Sequence, residues 1–283
     1  MITIRNENLT VEISTLGGEM QSIKDAAGRE YLWQGDAAFW SGRAPNLFPY
    51  TGRLTEGICT YRGQKFAMPC HGFLKDREME IERAEEDRCT LLLRSDKDTL
   101  RVFPFEFAFR ISYMLKGASL ICQYRVTNFE DFTIYFGLGA HPAFAVPADK
   151  FDGYSLRFAD DITPIRVELS EDGYVLNGRA PYPLKDGALP LGGYPFEDSL
   201  AFTAMAKSVS LLDETGKGVI SVDYGDFDNL VLWRAPNAPF LCIEPWCSLP
   251  SRKGVVEELS TQPGLVALEE GDFRAAFCVR IGE

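Results

Sequence analysis

The sequence predicts an all-β protein, a large antiparallel sandwich, and three observations carry that prediction. Apolar and polar residues alternate with a period of two in segment after segment. Turn residues separate the segments. No amphipathic stretch of helical period runs beyond two or three turns. The alternation is clearest at 273–281, where Phe273, Ala275, Phe277, Val279 and Ile281 would face one side and Arg274, Cys278 and Arg280 the other. Shorter runs at 9–13, 105–113, 120–127, 219–224 and 230–233 read as further strands. Between the runs stand Leu16-Gly17-Gly18, Lys116-Gly117, Asp186-Gly187 and the turns at 25–28 and 213–216. Links this short join strands antiparallel, and without crossover helices a βαβ layering is disfavoured.

Residues 44–57, 142–153 and 180–195 are rich in Pro and Gly and resemble linkers, but they carry Phe48, Tyr50, Phe144, Phe151, Tyr182 and Tyr194. Flexible linkers are poor in aromatics, so these segments are expected to be long surface loops of a single domain covering residues 1–283. The hydrophobic fraction of 46% supplies enough apolar material for a sizeable core.

A net charge of −12 argues against nucleic acid or an anionic membrane surface as partner. The N-terminal residues show no basic segment followed by an apolar one, and no apolar run reaches the roughly 18 residues of a membrane helix. Asn8-Leu9-Thr10 is formally a glycosylation sequon but reads as strand. The seven cysteines are scattered, with no Cys-x-x-Cys spacing, which suits reduced thiols in a cytoplasm.

The chain has two histidines, His71 in Pro69-Cys70-His71-Gly72-Phe73 and His141 in Gly139-Ala140-His141-Pro142-Ala143-Phe144. Gly and Pro hem both, which holds each imidazole at a strand end or in a constrained loop, where a rigid scaffold presents catalytic groups. Each could equally be a structural histidine bonded to a carbonyl. A metal site is a third reading, disfavoured because Cys70, next to His71 in an extended segment, would point away and no short-range ligand spacing recurs. Glu244 closes the apolar run Phe240-Leu241-Cys242-Ile243, where a carboxylate is costly without a partner, and serves either as a base of raised pKa or as an exposed strand-end charge. Arg53 is the one charge in Asn46-Leu47-Phe48-Pro49-Tyr50-Thr51-Gly52-Arg53, and its fork suits hydroxyl and oxyanion groups. Asp198, in Phe196-Glu197-Asp198-Ser199, is a weaker candidate, and none of these decides a function alone.

In order, Glu30-Tyr31-Leu32-Trp33 with Phe39-Trp40, Thr51-Gly52-Arg53, Pro69-Cys70-His71-Gly72-Phe73, Gly139-Ala140-His141-Pro142 and Ile243-Glu244-Pro245-Trp246 resemble the aldose 1-epimerase, or galactose mutarotase-like, superfamily and its bacterial aldose-epimerase-like branch. The resemblance spans nearly the whole chain. It implies an antiparallel β-supersandwich with a sugar site on one face. It further implies catalysis by Glu244 as general base on the anomeric hydroxyl and His141 as general acid on the ring oxygen. His71 would be the third catalytic group, polarising the ring oxygen, while Arg53 and Asp198 hold hydroxyls. No cofactor or metal is called for, and the partner is a small sugar met by a monomer or homodimer.

Two departures bear on the substrate. Where the family pattern after His-Gly-Phe often reads Ala-Arg, this chain has Leu74-Lys75-Asp76-Arg77, and arginines near here face the phosphate in relatives acting on hexose 6-phosphates; Lys75 and Arg77 are the matching candidates. After Trp246 the chain reads Cys247-Ser248-Leu249-Pro250, without the branch's common glycine. The rivals to an epimerase of free hexoses are a hexose-6-phosphate 1-epimerase, a non-catalytic carbohydrate-binding or regulatory protein, and a glycosidase using Asp198 and Glu244.

Overall fold

Two large antiparallel sheets organise the chain, and their strands interleave along the sequence. The computed structural model describes residues 1–159, 162–193, 199–203 and 206–282. Among these, nine strands form one sheet and eight another, with a three-stranded N-terminal sheet (Ile2–Arg5, Leu9–Ile13, Met20–Asp25) and two short two-stranded ribbons beside them. One four-residue α-helix, Thr99–Val102, and three 3₁₀ turns complete the regular structure of the described residues. The fold is the antiparallel β-supersandwich expected of the sequence.

The predicted strands form where the alternation is strongest. Gly271–Ile281 pairs with Ser119–Asn128, which pairs in turn with Phe107–Lys116, at the centre of the nine-stranded sheet. Along the C-terminal strand Ala275, Phe277, Val279 and Ile281 are buried and the residues between them are not, as a half-buried strand requires. Opposite them, Leu200, Phe202, Leu230, Leu232, Leu241 and Ile243 of the eight-stranded sheet enter the same core.

The central strands of the eight-stranded sheet depart from simple alternation because both of their faces are covered. Every residue of Phe240–Trp246 is buried. Leu241 and Ile243 face the main core, while Phe240 and Cys242 pack in one smaller apolar cluster on the other face and Trp246 packs in a second.

Two of the three segments expected as surface loops turn inward, while the described part of 180–195 is mostly exposed or half-buried. Residues 44–57 hold the short strand Asn46–Leu47, and Phe48, Tyr50, Thr51, Leu54 and Thr55 are buried. Aromatic side chains take this stretch inward: Phe48 packs against Phe73, Phe103, Phe107, Phe109 and Phe136. The Phe48–Pro49 peptide is cis. Residues 142–153 likewise contribute the buried strand Ala143–Ala145 and buried Phe151. No helix among the described residues is long and apolar enough to cross a membrane.

Candidate active site

His141 faces Glu244 because of strand register. Gly139 pairs with Trp246, and Ala143 pairs with Cys242, on either side of a break in pairing. Continuing that register across the break leaves His141 opposite Glu244. Pro142 suits the interruption, since it has no N–H for the ladder, and its carbonyl still accepts from Ile243 N–H at 3.1 Å. The result is an imidazole Nε2 3.3 Å from a carboxylate oxygen, with both residues buried. Glu244 therefore lies within a strand that runs on through Pro245 to Trp246, neither at its end nor exposed.

His71 reaches the same place from a loop. Its own φ is +65°, and Gly72 follows at +70°, where a Cβ would lie 2.2 Å from the Phe48 carbonyl oxygen. Only glycine lets the two loops approach this closely. The Gly52 N–H donates to His71 Nδ1 at 3.1 Å, so that nitrogen carries no proton and Nε2 carries it instead. The two imidazoles meet edge to face at 5.5 Å between centroids, and His71 meets Trp246 at 5.6 Å.

These groups line one cavity of about 720 Å³, which also receives Arg53 and Lys75. Arg77 does not line it. The 3₁₀ turn Leu74–Asp76 carries Arg77 away to lie over the Phe73 ring and 3.9 Å from Asp96, so of the two expected cations only Lys75 faces the cavity, paired there with Asp76. Asp198 lies outside the described residues. Cys70 also lines the cavity, because the positive φ of His71 breaks the extended alternation that would have turned it away.

Sequence reasoning passed over Trp233, Glu19, Cys242 and the Ser170-Glu171-Asp172-Gly173 turn, all at or beside the cavity. Face parity along Phe240–Trp246 would have found Cys242, and the acidic turn signature would have marked 170–173. Among the described residues, His141, Cys242 and Glu244 form a group of metal-ligand type, with one ligand atom from each within 4.8 Å of the others.

The electrostatics follow from burial. Desolvation pushes the Glu244 carboxyl well above the usual carboxylate range and holds the His141 imidazole well below that of a free histidine, with His71 adding to the latter. His71 falls to about 4, first through burial and then through Lys75 and Arg53. Burial therefore favours the uncharged form of both partners. Both Glu244 oxygens, His141 Nδ1 and Trp246 Nε1 are buried without a hydrogen-bond partner, so the 3.3 Å approach lacks the alignment of a hydrogen bond. Buried polar atoms are seldom left so, and here several gather at one cavity.

The antiparallel supersandwich that carries these groups is the galactose mutarotase-like fold. The chain belongs to the aldose 1-epimerase family, whose model matches residues 1–272. It is 36% identical over 263 residues to the plasmid protein LacX of Lactococcus lactis, covering 88% of each chain. A galactose mutarotase related enzyme from Lactobacillus acidophilus superposes with a TM-score of 0.94 at 30% identity, over 99% of this chain and 97% of that one. A galactose mutarotase-like protein from Lactobacillus casei does so with a TM-score of 0.94 at 29% identity, over 99% of both chains.

Proposed function

We propose that this protein is a cofactor-independent aldose 1-epimerase that interconverts the α and β anomers of a free hexose or related sugar. The observation that carries the reading is the His141–Glu244 pair, two buried groups 3.3 Å apart and otherwise unpartnered at the wall of a sugar-sized cavity, and in the proposed mechanism they share one proton.

Ring opening needs a base and an acid at two oxygens bonded to the same carbon, so the two groups must converge on one spot. Sugar hydroxyls entering the cavity bond to the Glu244 oxygens and favour the carboxylate, moving the shared proton to His141. Glu244 then takes the proton of the anomeric hydroxyl. The C1–ring oxygen bond breaks, its electron pair goes to the ring oxygen, and His141 protonates that oxygen as C1 becomes an aldehyde. Rotation about C1–C2 turns the other carbonyl face inward. Reclosure runs the steps in reverse, with Glu244 returning its proton to the carbonyl oxygen and His141 taking the one on the ring hydroxyl. The pair ends as it began. His71, with Nδ1 occupied by Gly52 N–H, offers Nε2–H as a fixed donor to a sugar oxygen. Positioned proton-transfer groups are each worth about 10²–10⁴-fold.

The charges at the cavity favour an uncharged sugar over a sugar phosphate. Glu19, Asp76, Glu171 and Asp172 line it alongside Arg53 and Lys75, and Lys75 is already paired. NMR magnetisation exchange tests the reading: wild type should speed anomer exchange of at least one free aldohexose more than that of its 6-phosphate, and His141→Asn should abolish the effect. Binding of sugar by calorimetry without any exchange would make the protein a carbohydrate-binding module instead.

A further inference from the structure

A catalytic histidine is ordinarily oriented by a hydrogen bond between its second ring nitrogen and another residue, and His141 has no such bond. Its Nδ1 is buried without a partner, while Nε2 faces Glu244. Something else must fix the ring plane.

The Trp40 indole lies against it, with centroids 4.9 Å apart and planes 29° from parallel. Trp233 and His71 meet the imidazole edge-on at 5.7 and 5.5 Å. We propose that Trp40 is the positioning residue of His141, setting by stacking the orientation that a hydrogen bond sets elsewhere. The claim rests on the proposed epimerase reading for its kinetic consequences and on geometry alone for its structural ones.

Trp40 is itself held from several sides. Its carbonyl accepts from Trp33 Nε1 at 2.8 Å and its N–H donates to the Asp36 carbonyl at 3.0 Å. Trp233 packs edge-on at 5.4 Å, and Phe240 lies tilted against it at 5.8 Å. Gly42 makes the pose possible, since a Cβ there would lie 2.5 Å from Trp40 Cζ2. The stack also suits the chemistry: an indole face favours a neighbouring cation, and His141 becomes an imidazolium when it takes the shared proton. Glu244 and His71 face the same ring, the first favouring that charge and the second opposing it.

The test uses Trp40→Leu, Trp40→Phe and Gly42→Ala, whose Cβ would push the indole off the imidazole. Having two histidines, the chain shows two imidazoles in a histidine-labelled NMR spectrum, and the stacked one should be displaced upfield by the indole ring current. Trp40→Leu and Gly42→Ala should abolish that displacement and leave the other imidazole in place. In exchange kinetics both should lower kcat by about tenfold to a hundredfold with KM nearly unchanged, and Trp40→Phe should recover most of the loss. A raised KM at constant kcat would make Trp40 a sugar platform and overturn the proposal, as would a Phe variant no better than Leu or an unmoved imidazole signal. Should Trp40→Leu not fold, Gly42→Ala reads the same quantities. If wild type exchanges no anomers, the epimerase reading falls while the NMR arm still decides whether Trp40 orients His141.

Discussion

On the inner face of the eight-stranded sheet, Leu230, Leu232, Leu241 and Ile243 share one core with Phe109, Tyr124 and Phe277 of the opposing sheet, and all are almost wholly buried. One residue along the same strands, on the outer face, Glu244 and Trp246 are buried almost as deeply, yet the polar atoms of their side chains have no hydrogen-bond partners. Burial on the first face stabilises. On the second it costs, since a buried carboxyl loses hydration with nothing fixed in exchange. The contrast teaches that depth of burial alone does not separate core from site; what separates them is whether the buried groups are satisfied.

Two substitutions should pull the faces apart most strongly. Glu244→Gln is expected to lower anomer exchange by at least 10²–10³-fold with the denaturation midpoint unchanged or higher, because it removes the base and an unpartnered acid together. Leu232→Ala should do the reverse, costing about 2–5 kcal/mol in denaturant unfolding while each folded molecule keeps its exchange rate within a few fold. Equal losses of stability in both variants would erase the distinction between the faces.

A smaller effect is expected at His71. Its folded pKa of about 4 lies below the ordinary histidine value of 6.5, so the fold favours the neutral ring. That contribution is complete above pH 6.5 and is lost as pH falls from 6.5 toward 4. His71→Gln should lack it, so the stability difference between wild type and variant should shrink by about 2–3 kcal/mol over that window. The opposite trend from Glu244, whose raised pKa favours the fold at lower pH, is common to both proteins and cancels. A difference flat with pH would show that His71 is not held neutral.

The smallest effect belongs to Arg77. Outside the cavity and 3.9 Å from Asp96 on the surface, its replacement by Ala should leave exchange unchanged and cost under about 1 kcal/mol. A marked rise in KM for any sugar would bring it back into the site.

The fold was legible where one face of a strand meets water, as at Gly271–Ile281, because the alternation then has two environments to record. It was illegible where both faces are covered. Phe240–Trp246 reads as a nearly uniform apolar run, which hid that Glu244 sits within the strand and shares a face with Cys242 and Trp246. Residues 44–57 were misread because Pro and Gly record backbone geometry, whereas depth is set by Phe48 and Tyr50 finding an aromatic core from distant strands. At the site, local motifs located His71, His141, Glu244 and Arg53. Adjacency misled at Arg77, since a single 3₁₀ turn separates it from Lys75 in direction, and no local signal carries the register that brings His141 opposite Glu244.

The most direct measurement is the rate at which magnetisation passes between the α and β anomers of a free aldohexose in the presence of the wild-type protein and of Glu244→Gln. Exchange should be fast with wild type and at least a hundredfold slower in the variant. Wild-type and variant rates that agree, whether both fast or both no faster than buffer, would contradict it.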